Sequence, residues 1–179
     1  SILWLLKGLV KFIYNRVDLI LGQSKSFLPN IQKHCKHKNI RYFPGWAESV
    51  FQEDIKAINS LNKISNSFNI TFAGNIGESQ DFPAILDAAE ILKNNLSISW
   101  TIIGDGRMFG WVKDEVNRRG LSEKVLLIGK KPIHEMPKYF NEADALLVSL
   151  KAEPIFSYTI PGKFQSYLKA GKPIIAMLN

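Results

Sequence analysis

Residues 68–93 read FNITFAGNIGESQDFPAILDAAEILK, in which an apolar run, a glycine-containing loop and an amphipathic segment follow one another. The apolar run at 68–73 predicts a buried strand. From Pro83 to about Lys93, apolar residues recur at three- and four-residue steps, which predicts a helix with Asp81 as its N-cap. The stretch therefore predicts a strand, a loop and a helix in the order typical of a parallel α/β sheet.

The same order recurs toward the C-terminus. Further strands and helices alternate, with strands predicted at 98–103, 125–128, 144–150 and 174–177 and helices at about 109–119, 135–141 and 163–169. Strands this apolar are covered on both faces, so the pattern predicts an α/β fold with a doubly wound parallel sheet. Such sheets bind ligands beyond the carboxyl ends of their strands, and the residues that directly follow each strand are therefore the candidate site.

The first 67 residues follow a different pattern. Residues 2–14 predict an amphipathic helix that carries Lys7 and Lys11 on one face and is too short to span a bilayer. Such a helix either packs on a domain core or lies on a membrane surface. Short strands at 17–21 and 39–43 flank a helix predicted from Ser24 to about Cys35, and the chain turns polar after Trp46. The sequence thus predicts part of one domain over 1–46, a connection over 47–66 and a second domain over 67–179.

Composition excludes several classes of protein. Hydrophobic residues make up 46% of the chain and charged residues 22%, which excludes a disordered or collagen-like protein. The 23 Lys and Arg against 16 Asp and Glu give a net charge of +7, which favours an anionic partner. The single cysteine, Cys35, excludes an internal disulfide framework. Because the chain begins with Ser1 rather than methionine, we expect it to be part of a longer protein, and inactive by itself.

Three loops after predicted strands carry glycines or cations. The loop at 74–80 has two glycines and precedes a helix whose free N–H groups suit an anion, although it lacks the G-x-G-x-x-G fingerprint. The loop at 104–107 ends in an arginine, and the loop at 129–133 has two lysines. The first loop is also compatible with a tight turn, and the other two are compatible with turns that carry solvated cations. The candidate binding residues are Gly74, Asn75, Gly77, Gln80, Asp105, Gly106, Arg107, Lys130, Lys131 and Ile133.

A fourth loop, at 153–163, leads into the helix predicted at 163–169. Pro161 and Gly162 open that helix, so its first amides point toward the strand ends, and Lys163 adds a positive charge there. This arrangement suits a diphosphate, although a capped helix with a surface lysine explains it equally well. The further candidates in this region are Ser157, Tyr158, Thr159, Ile160, Pro161, Gly162 and Ser166.

Four motifs follow one another along the predicted second domain: FAGNIG at 72–77, IGDG at 103–106, DALLV at 144–148, and PGK at 161–163 followed by GKPIIA at 171–176. In this order they resemble the C-terminal, donor-binding domain of retaining glycosyltransferases with the two-domain GT-B architecture. The resemblance runs from about Ile40 to the end of the chain. It is strongest to bacterial O-antigen and capsule transferases that use UDP-linked N-acetylated amino sugars, including fucosamine-like transferases. It implies a Rossmann-like donor domain, with residues 1–46 as the tail of an acceptor-side domain.

The resemblance also implies a function and partners. It implies that the enzyme transfers a sugar from a UDP-linked donor to a lipid-linked or glycan acceptor in cell-surface polysaccharide synthesis. It also implies that this transfer needs no metal or other cofactor. The enzyme is expected in the cytoplasm. The alternative is a peripheral position at the inner face of the cytoplasmic membrane, with the helix at 2–14 as the contact. In relatives, backbone groups of the third loop hold the base, which here implies Lys130, Lys131 and Ile133. No nucleic-acid partner is expected, because tyrosines do not interleave with lysines.

This sequence departs from the pattern of its relatives at charged positions. Asn75 and Gln80 stand where many relatives carry the Arg and Lys that grip the diphosphate. Tyr158 and Ser166 stand where many carry a pair of glutamates. The charge that stabilises the leaving phosphate must therefore come from elsewhere, and we predict Lys163 as the catalytic residue, ahead of Arg107 and the helix N-terminus.

Two other functions remain open from the sequence. A sugar-nucleotide epimerase shares the architecture and needs acid–base residues, for which Glu153 and His134 are the candidates. A non-catalytic nucleotide-binding or membrane-docking module is the other alternative. His34, Cys35 and His37 crowd one predicted helix end and make a poor tetrahedral metal site, so no metal is expected.

Overall fold

The computed structural model describes residues 2–36, 39–47, 49 and 67–178. Contacts divide the chain into a first unit, Ser1–Trp46 with Glu153–Ile160, and a second unit, Ala47–Ala152 with Pro161–Asn179. Apart from Ala47 and Ser49, the predicted connection over 47–66 lies outside the described residues, as does His37.

In its described residues, the first unit has two α-helices and a small parallel sheet. Its elements are α1 (Ile2–Tyr14), β1 (Ile20–Gly22), α2 (Leu28–Gln32) and β2 (Ile40–Tyr42), with a 3-10 turn at Phe156–Tyr158. The helix predicted from Ser24 is instead a 3-10 turn at Lys25–Phe27 followed by α2. Pro29 explains the difference, because proline fits the first turn of a helix but not its interior. Along α1, Ile2–Ile13 is exposed, and no helix in the described part of the chain is long and apolar enough to cross a membrane.

The second unit contains a five-stranded, fully parallel sheet. Its strands are β3 (Phe68–Ala73), β4 (Ile98–Ile103), β5 (Val125–Gly129), β6 (Ala145–Ser149) and β7 (Ile174–Met177). The α-helices in the described part of this unit are α3 (Phe82–Ile91), α4 (Phe109–Arg118), α5 (Met136–Glu142) and α6 (Lys163–Ala170). The strand order is β5-β4-β3-β6-β7. This arrangement confirms the predicted doubly wound parallel sheet.

Both faces of this sheet are buried, which is why its strands are apolar almost throughout. On one face Phe72, Trp100 and Ile102 pack with apolar residues of α3 and α4. On the other face Leu146 and Val148 pack with residues of α5 and α6.

The predicted cap of α3 is confirmed in position but not in its hydrogen bond. Asp81 stands at the N-cap position, but its backbone is left-handed, with φ of 51°, and its side chain caps no N–H group among the described residues.

The order of the strands reverses between β3 and β6. From β3 the chain moves outward through β4 to β5, and then continues on the other side of β3 with β6 and β7. Strands β3 and β6 pair at Ile70 with Ala145 and at Thr71 with Leu146, whereas β3 runs on for two further residues. Open α/β sheets bind ligands at such a reversal, beyond the carboxyl ends of the strands.

Candidate functional site

The loops that follow β3 and β4 interlock. The amide of Ile76 donates to the carbonyl of Asp105 at 2.8 Å, and the amide of Met108 donates back to the carbonyl of Ile76 at 3.0 Å. Gly104 has φ of 143°, and a Cβ at this position would lie 1.8 Å from the carbonyl oxygen of Gly74. Glycine is therefore required there by both conformation and space. The two predicted loops therefore form one continuous edge beyond the carboxyl ends of β3 and β4.

The loop after β5 completes a cleft along this edge. The amide of Gly104 donates to the carbonyl of Gly129 at 2.9 Å, which places Lys130 and Lys131 next to the second loop. The cleft, which we call the strand-end cleft, has a volume of about 380 Å³ and is lined by Gly74, Asn75, Ile103, Gly104, Asp105, Lys130, Lys131 and Met136. Five of these residues were predicted as site residues from the sequence, whereas Ile103, Gly104 and Met136 were not.

Lys163 brings a positive charge to the end of β3. It is the first residue of α6, and its Nζ donates to Oε1 of Gln80 at 2.5 Å. The same atom lies 3.7 Å from the centre of the Phe72 ring. A Cβ on Gly74 would come within 3.2 Å of Nζ, so the glycine leaves room for this side chain. Two predicted residues from distant loops, Lys163 and Gln80, are thus in direct contact.

The charge of Lys163 has only neutral partners among the described residues, namely an amide oxygen and a ring face. Burial lowers the pKa of the Lys163 ammonium from 10.5 to about 7. A buried cation without a counter-ion is unfavourable, and an anion placed beside it restores its charged form. An anion at the end of β3 would therefore give this cation a charged partner.

Gln80 is held from two sides. Its side chain accepts the bond from Lys163, and its backbone carbonyl accepts a hydrogen bond from the Ser149 hydroxyl at 2.7 Å. The amide of Lys151 donates to the carbonyl of Ser79 at 2.9 Å. The end of β6 thus anchors the first loop. The sequence analysis did not predict a role for Ser149, because a serine in a buried strand carries no local signal for a hydrogen bond to a residue 69 positions away.

The remaining predicted residues of the first three loops lie closer to solvent. The Arg107 side chain is 85% exposed and lies 3.7 Å from the Glu78 carboxylate. Oδ1 of Asp105 accepts a bond from the amide of Gly106, within the same loop. The Asn75 side chain folds between Gly77 and Gly106, since a Cβ on either glycine would clash with it. Ile133 lies in an exposed 3-10 turn and does not line the strand-end cleft.

The fourth loop divides between the two units. Pro161, Gly162 and the buried Ser166 belong to the second unit with Lys163. The segment 153–160 belongs to the first unit, where Tyr158, Thr159 and Ile160 line a groove of about 320 Å³ together with residues of α1, β1 and α2. The hydroxyl of Ser157 donates to the carbonyl of Pro154 and that of Thr159 to the carbonyl of Phe156. Donor contacts by Ser157, Tyr158, Thr159 and Ile160 stay a prediction.

The residues that other functions would need are not part of the strand-end cleft. Glu153 lies in the first unit, and His134 lies in the exposed 3-10 turn Ile133–Glu135. Within the described ranges, no three His, Cys, Asp or Glu side chains come together as a metal site requires. The expectation that the protein uses no metal or cofactor stays a prediction.

Two relatives share sequence with most of this chain. It is 28% identical to the "Probable glycosyltransferase WbjE" of Pseudomonas aeruginosa over an alignment of 185 residues. That alignment covers 98% of this chain and 44% of the relative. It is 30% identical over 164 residues to the "Putative colanic acid biosynthesis glycosyl transferase WcaI" of Escherichia coli (strain K12), which covers 88% of this chain and 40% of that protein. The chain therefore spans less than half the length of these curated relatives.

Solved structures show the same fold. The Anabaena protein HepE, crystallised with UDP and glucose, superposes with a TM-score of 0.72 at 13% identity, over 95% of this chain and 47% of that one. TarM of S. aureus, in a complex that contains UDP, gives a TM-score of 0.66 at 12% identity, over 93% of this chain and 31% of that one. At such low identity the likeness shows the fold alone, which is that of GT-B glycosyltransferases.

The family follows from the sequence itself. Residues 53–177, well over half of the chain, match the profile of the family described as "Glycosyl transferases group 1". The matched region contains the whole five-stranded sheet and all three loops of the strand-end cleft. With its parallel sheet, its strand reversal beside β3 and this match, the chain belongs to the group 1 glycosyltransferases and has the Rossmann-like fold of a GT-B donor domain.

Proposed function

We propose that the second unit binds the nucleotide-sugar donor of a retaining glycosyltransferase. The parent enzyme transfers a sugar, from a UDP-linked donor, to a lipid-linked or glycan acceptor in cell-surface polysaccharide synthesis. The UDP in the complexes of HepE and TarM supports the donor class, and the name of WcaI, which refers to colanic acid, supports the polysaccharide role. The motif resemblance supports the retaining mechanism and the amino-sugar donor.

One observation carries this proposal: the Lys163 ammonium lies at the end of β3 with only neutral described partners. A diphosphate beyond the strand end would give this cation the anionic partner that it lacks. Because the surroundings are partly desolvated, the attraction between the two charges is stronger than it would be in water. With this cation at the strand end, the site does not need the cations that relatives carry at the positions of Asn75 and Gln80.

The chemistry of transfer uses the same charge. The bond between the anomeric carbon and the phosphate oxygen breaks, and its electron pair stays on the departing diphosphate, whose negative charge therefore grows. The acceptor hydroxyl oxygen forms the new bond to the anomeric carbon, and its proton passes to the departing phosphate oxygen. Donors fixed in place before the reaction stabilise this growing charge. In our proposal Lys163 is the catalytic residue, and the amides at the start of α6, after Pro161 and Gly162, assist it without a metal or another cofactor.

The nucleoside is assigned to the strand-end cleft. Its volume of about 380 Å³ and its path from Gly74 to Lys131 suit a nucleoside attached to a diphosphate at Lys163. Backbone groups around Lys130, Lys131 and Ile133 hold the base in this proposal, and uridine is preferred to guanosine. The support for this preference is the resemblance to UDP-sugar transferases.

The first unit carries the proposed contact with the inner face of the cytoplasmic membrane. It contains eight Lys and Arg residues against two Asp and Glu, and thus a net charge of +6 out of the +7 of the whole chain. The apolar residues of α1 are exposed in the structure, Trp4 by 78%. A basic, amphipathic helix of this kind binds anionic lipid surfaces. Co-sedimentation with anionic vesicles but not with zwitterionic ones is expected, and equal failure with both would reject the contact.

A thermal-shift panel of UDP, GDP, ADP and CMP tests the donor assignment. A ligand at 100 times its dissociation constant adds about 2.7 kcal/mol to the free energy of unfolding, which such an assay detects easily. We expect UDP to raise the melting temperature most. Stabilisation by none of the four would contradict a nucleotide site, and a larger effect of GDP would contradict the donor class.

The enzyme classes are separated by their products. Incubating the longer parent protein with a UDP-sugar and an acceptor should release UDP and glycosylate the acceptor. An epimerase would instead return an isomeric UDP-sugar without releasing UDP, and a non-catalytic module would leave the donor intact.

A further inference from the structure

Strand β3 ends with backbone groups that its neighbour does not pair. Along β3 the residues alternate in direction: the amide of Asn69 bonds to Asp144 on the β6 side, whereas the amide of Gly74 bonds to Ile103 on the β4 side. By this alternation the amide and carbonyl of Ala73 face β6. The pairing of β3 with β6 includes Ile70 and Thr71 but does not extend to Ala73. These two polar groups therefore need another partner.

A tyrosine hydroxyl supplies both bonds. The amide of Ala73 donates to Oη of Tyr167 at 2.8 Å, and the same hydroxyl donates to the carbonyl of Ala73 at 3.1 Å. The Tyr167 side chain is fully buried, and its ring packs edge-on against Phe140 with centroids 5.2 Å apart. Burial raises the pKa of the Tyr167 phenol above its usual value, so the group remains protonated and able to donate.

Tyr167 and Lys163 share one face of α6. They are four residues apart, so their side chains lie one above the other along the helix. The first bonds to the last residue of β3, and the second reaches Phe72 and Gln80 beside it. The bond to Ala73 therefore fixes the distance between α6 and the strand end at which the Lys163 ammonium lies.

We propose that Tyr167 is a positioning residue for the anion site: it holds α6 against the end of β3 and thereby sets where the ammonium of Lys163 meets the diphosphate. This inference rests on the proposed function and deepens it. It distinguishes Tyr167 from Tyr139 and Phe140 of the same cluster, because among the described hydrogen bonds only the Tyr167 hydroxyl bonds to the end of β3.

The test compares Tyr167→Phe with Tyr139→Phe. Both variants keep the ring of a tyrosine in the same cluster of buried residues and remove its hydroxyl, but only the Tyr167 hydroxyl bonds to Ala73. In calorimetric titrations of the 179-residue chain, Tyr167→Phe should weaken UDP binding roughly three- to tenfold and leave uridine binding unchanged, as expected for loss of a neutral hydrogen bond. It should also shift the pH at which UDP binding weakens. Tyr139→Phe should do neither.

A double mutant separates positioning from general stability. In a Lys163→Ala background, Tyr167→Phe should have no further effect on UDP affinity, because the charge that it positions is gone. Unchanged UDP affinity and pH dependence in Tyr167→Phe, or an equal loss in the Lys163→Ala background, would overturn the inference while leaving the proposed function intact. A wild-type chain that fails to bind UDP would overturn both.

Hydrogen exchange on the wild-type chain gives a measurement that does not depend on the folding of any variant. If the anion site and the Tyr167–Ala73 bond are coupled, UDP should slow exchange of the Ala73 amide. Unchanged exchange at saturating UDP would overturn the inference.

Discussion

At the scale of single residues, the account depends on the charge of Lys163. Its Nζ is held by Gln80 and Phe72 at the strand end, whereas the Arg107 side chain is 85% exposed. A charge-assisted hydrogen bond contributes roughly 1.5–3 kcal/mol, so Lys163→Ala should weaken UDP binding about ten- to a hundredfold in calorimetric titrations. Uridine, which has no phosphate, should bind this variant as well as the wild type.

Arg107→Ala is the matched control for this prediction. Because its guanidinium is solvated, removing it should change UDP affinity about threefold or less. If Arg107→Ala abolished UDP binding and Lys163→Ala left it unchanged, the charge that binds phosphate would belong to the second loop.

The same residue predicts a pH dependence. The pKa of Lys163 is about 7 in the unliganded chain, below the usual value for lysine, and a bound phosphate raises it. The contribution of Lys163 to UDP binding is therefore fully present below about pH 7 and declines as the pH rises above it. The ratio of the dissociation constants of Lys163→Ala and wild type, measured from pH 6 to pH 9, should be largest at pH 6. A ratio that rises with pH would contradict this assignment.

At the scale of elements, two glycines should respond oppositely to substitution. A Cβ on Gly104 would clash with the Gly74 carbonyl at a positive φ, so Gly104→Ala should separate the interlocked loops and weaken both folding and UDP binding. Gly110 lies in α4, and apart from its chain neighbours and the backbone of its own helix an added Cβ would meet no described atom within 4 Å, so Gly110→Ala should stabilise the chain by roughly 0.4–1 kcal/mol. Urea unfolding of both variants checks the prediction, and a neutral Gly104→Ala would contradict the close approach of the two loops.

Helices α3 and α4 are joined by an ion-pair cluster. Arg119 contacts Asp87 and Glu90 of α3 and also Glu115, which accepts two bonds from Arg118 as well. The bonds from Arg118 and Arg119 lower the pKa of Glu115 from 4.5 to about 2. This carboxylate therefore contributes stability that is present above about pH 4.5 and lost as the pH falls toward 2.

Glu115→Gln tests the cluster. At pH 6 the wild type should unfold at a higher urea concentration than the variant, and the difference should disappear as the pH falls to about 2. A difference that is constant from pH 6 to pH 2 would show that the Glu115 charge does not contribute, as is found for many exposed ion pairs.

At the scale of the whole molecule, the sequence predicts the sheet well and the contacts across it poorly. Strand β3 has the predicted bounds, because its apolar run is short and ends at a glycine. Lys163 could be predicted from its place after Pro161 and Gly162. The bond between Tyr167 and Ala73 joins residues 94 apart, and only the reversal of strand order brings them together. The membership of Glu153–Ile160 in the first unit likewise depends on tertiary contacts that no local pattern encodes.

The central claim is that this chain binds the diphosphate of its donor at the end of β3. A crystal structure of the 179-residue chain with UDP tests it most directly. The account predicts a phosphate oxygen about 3 Å from the Nζ of Lys163, with the nucleoside in the strand-end cleft. Phosphates bound at Lys130 and Lys131 instead, with Lys163 still bonded only to Gln80, would contradict it.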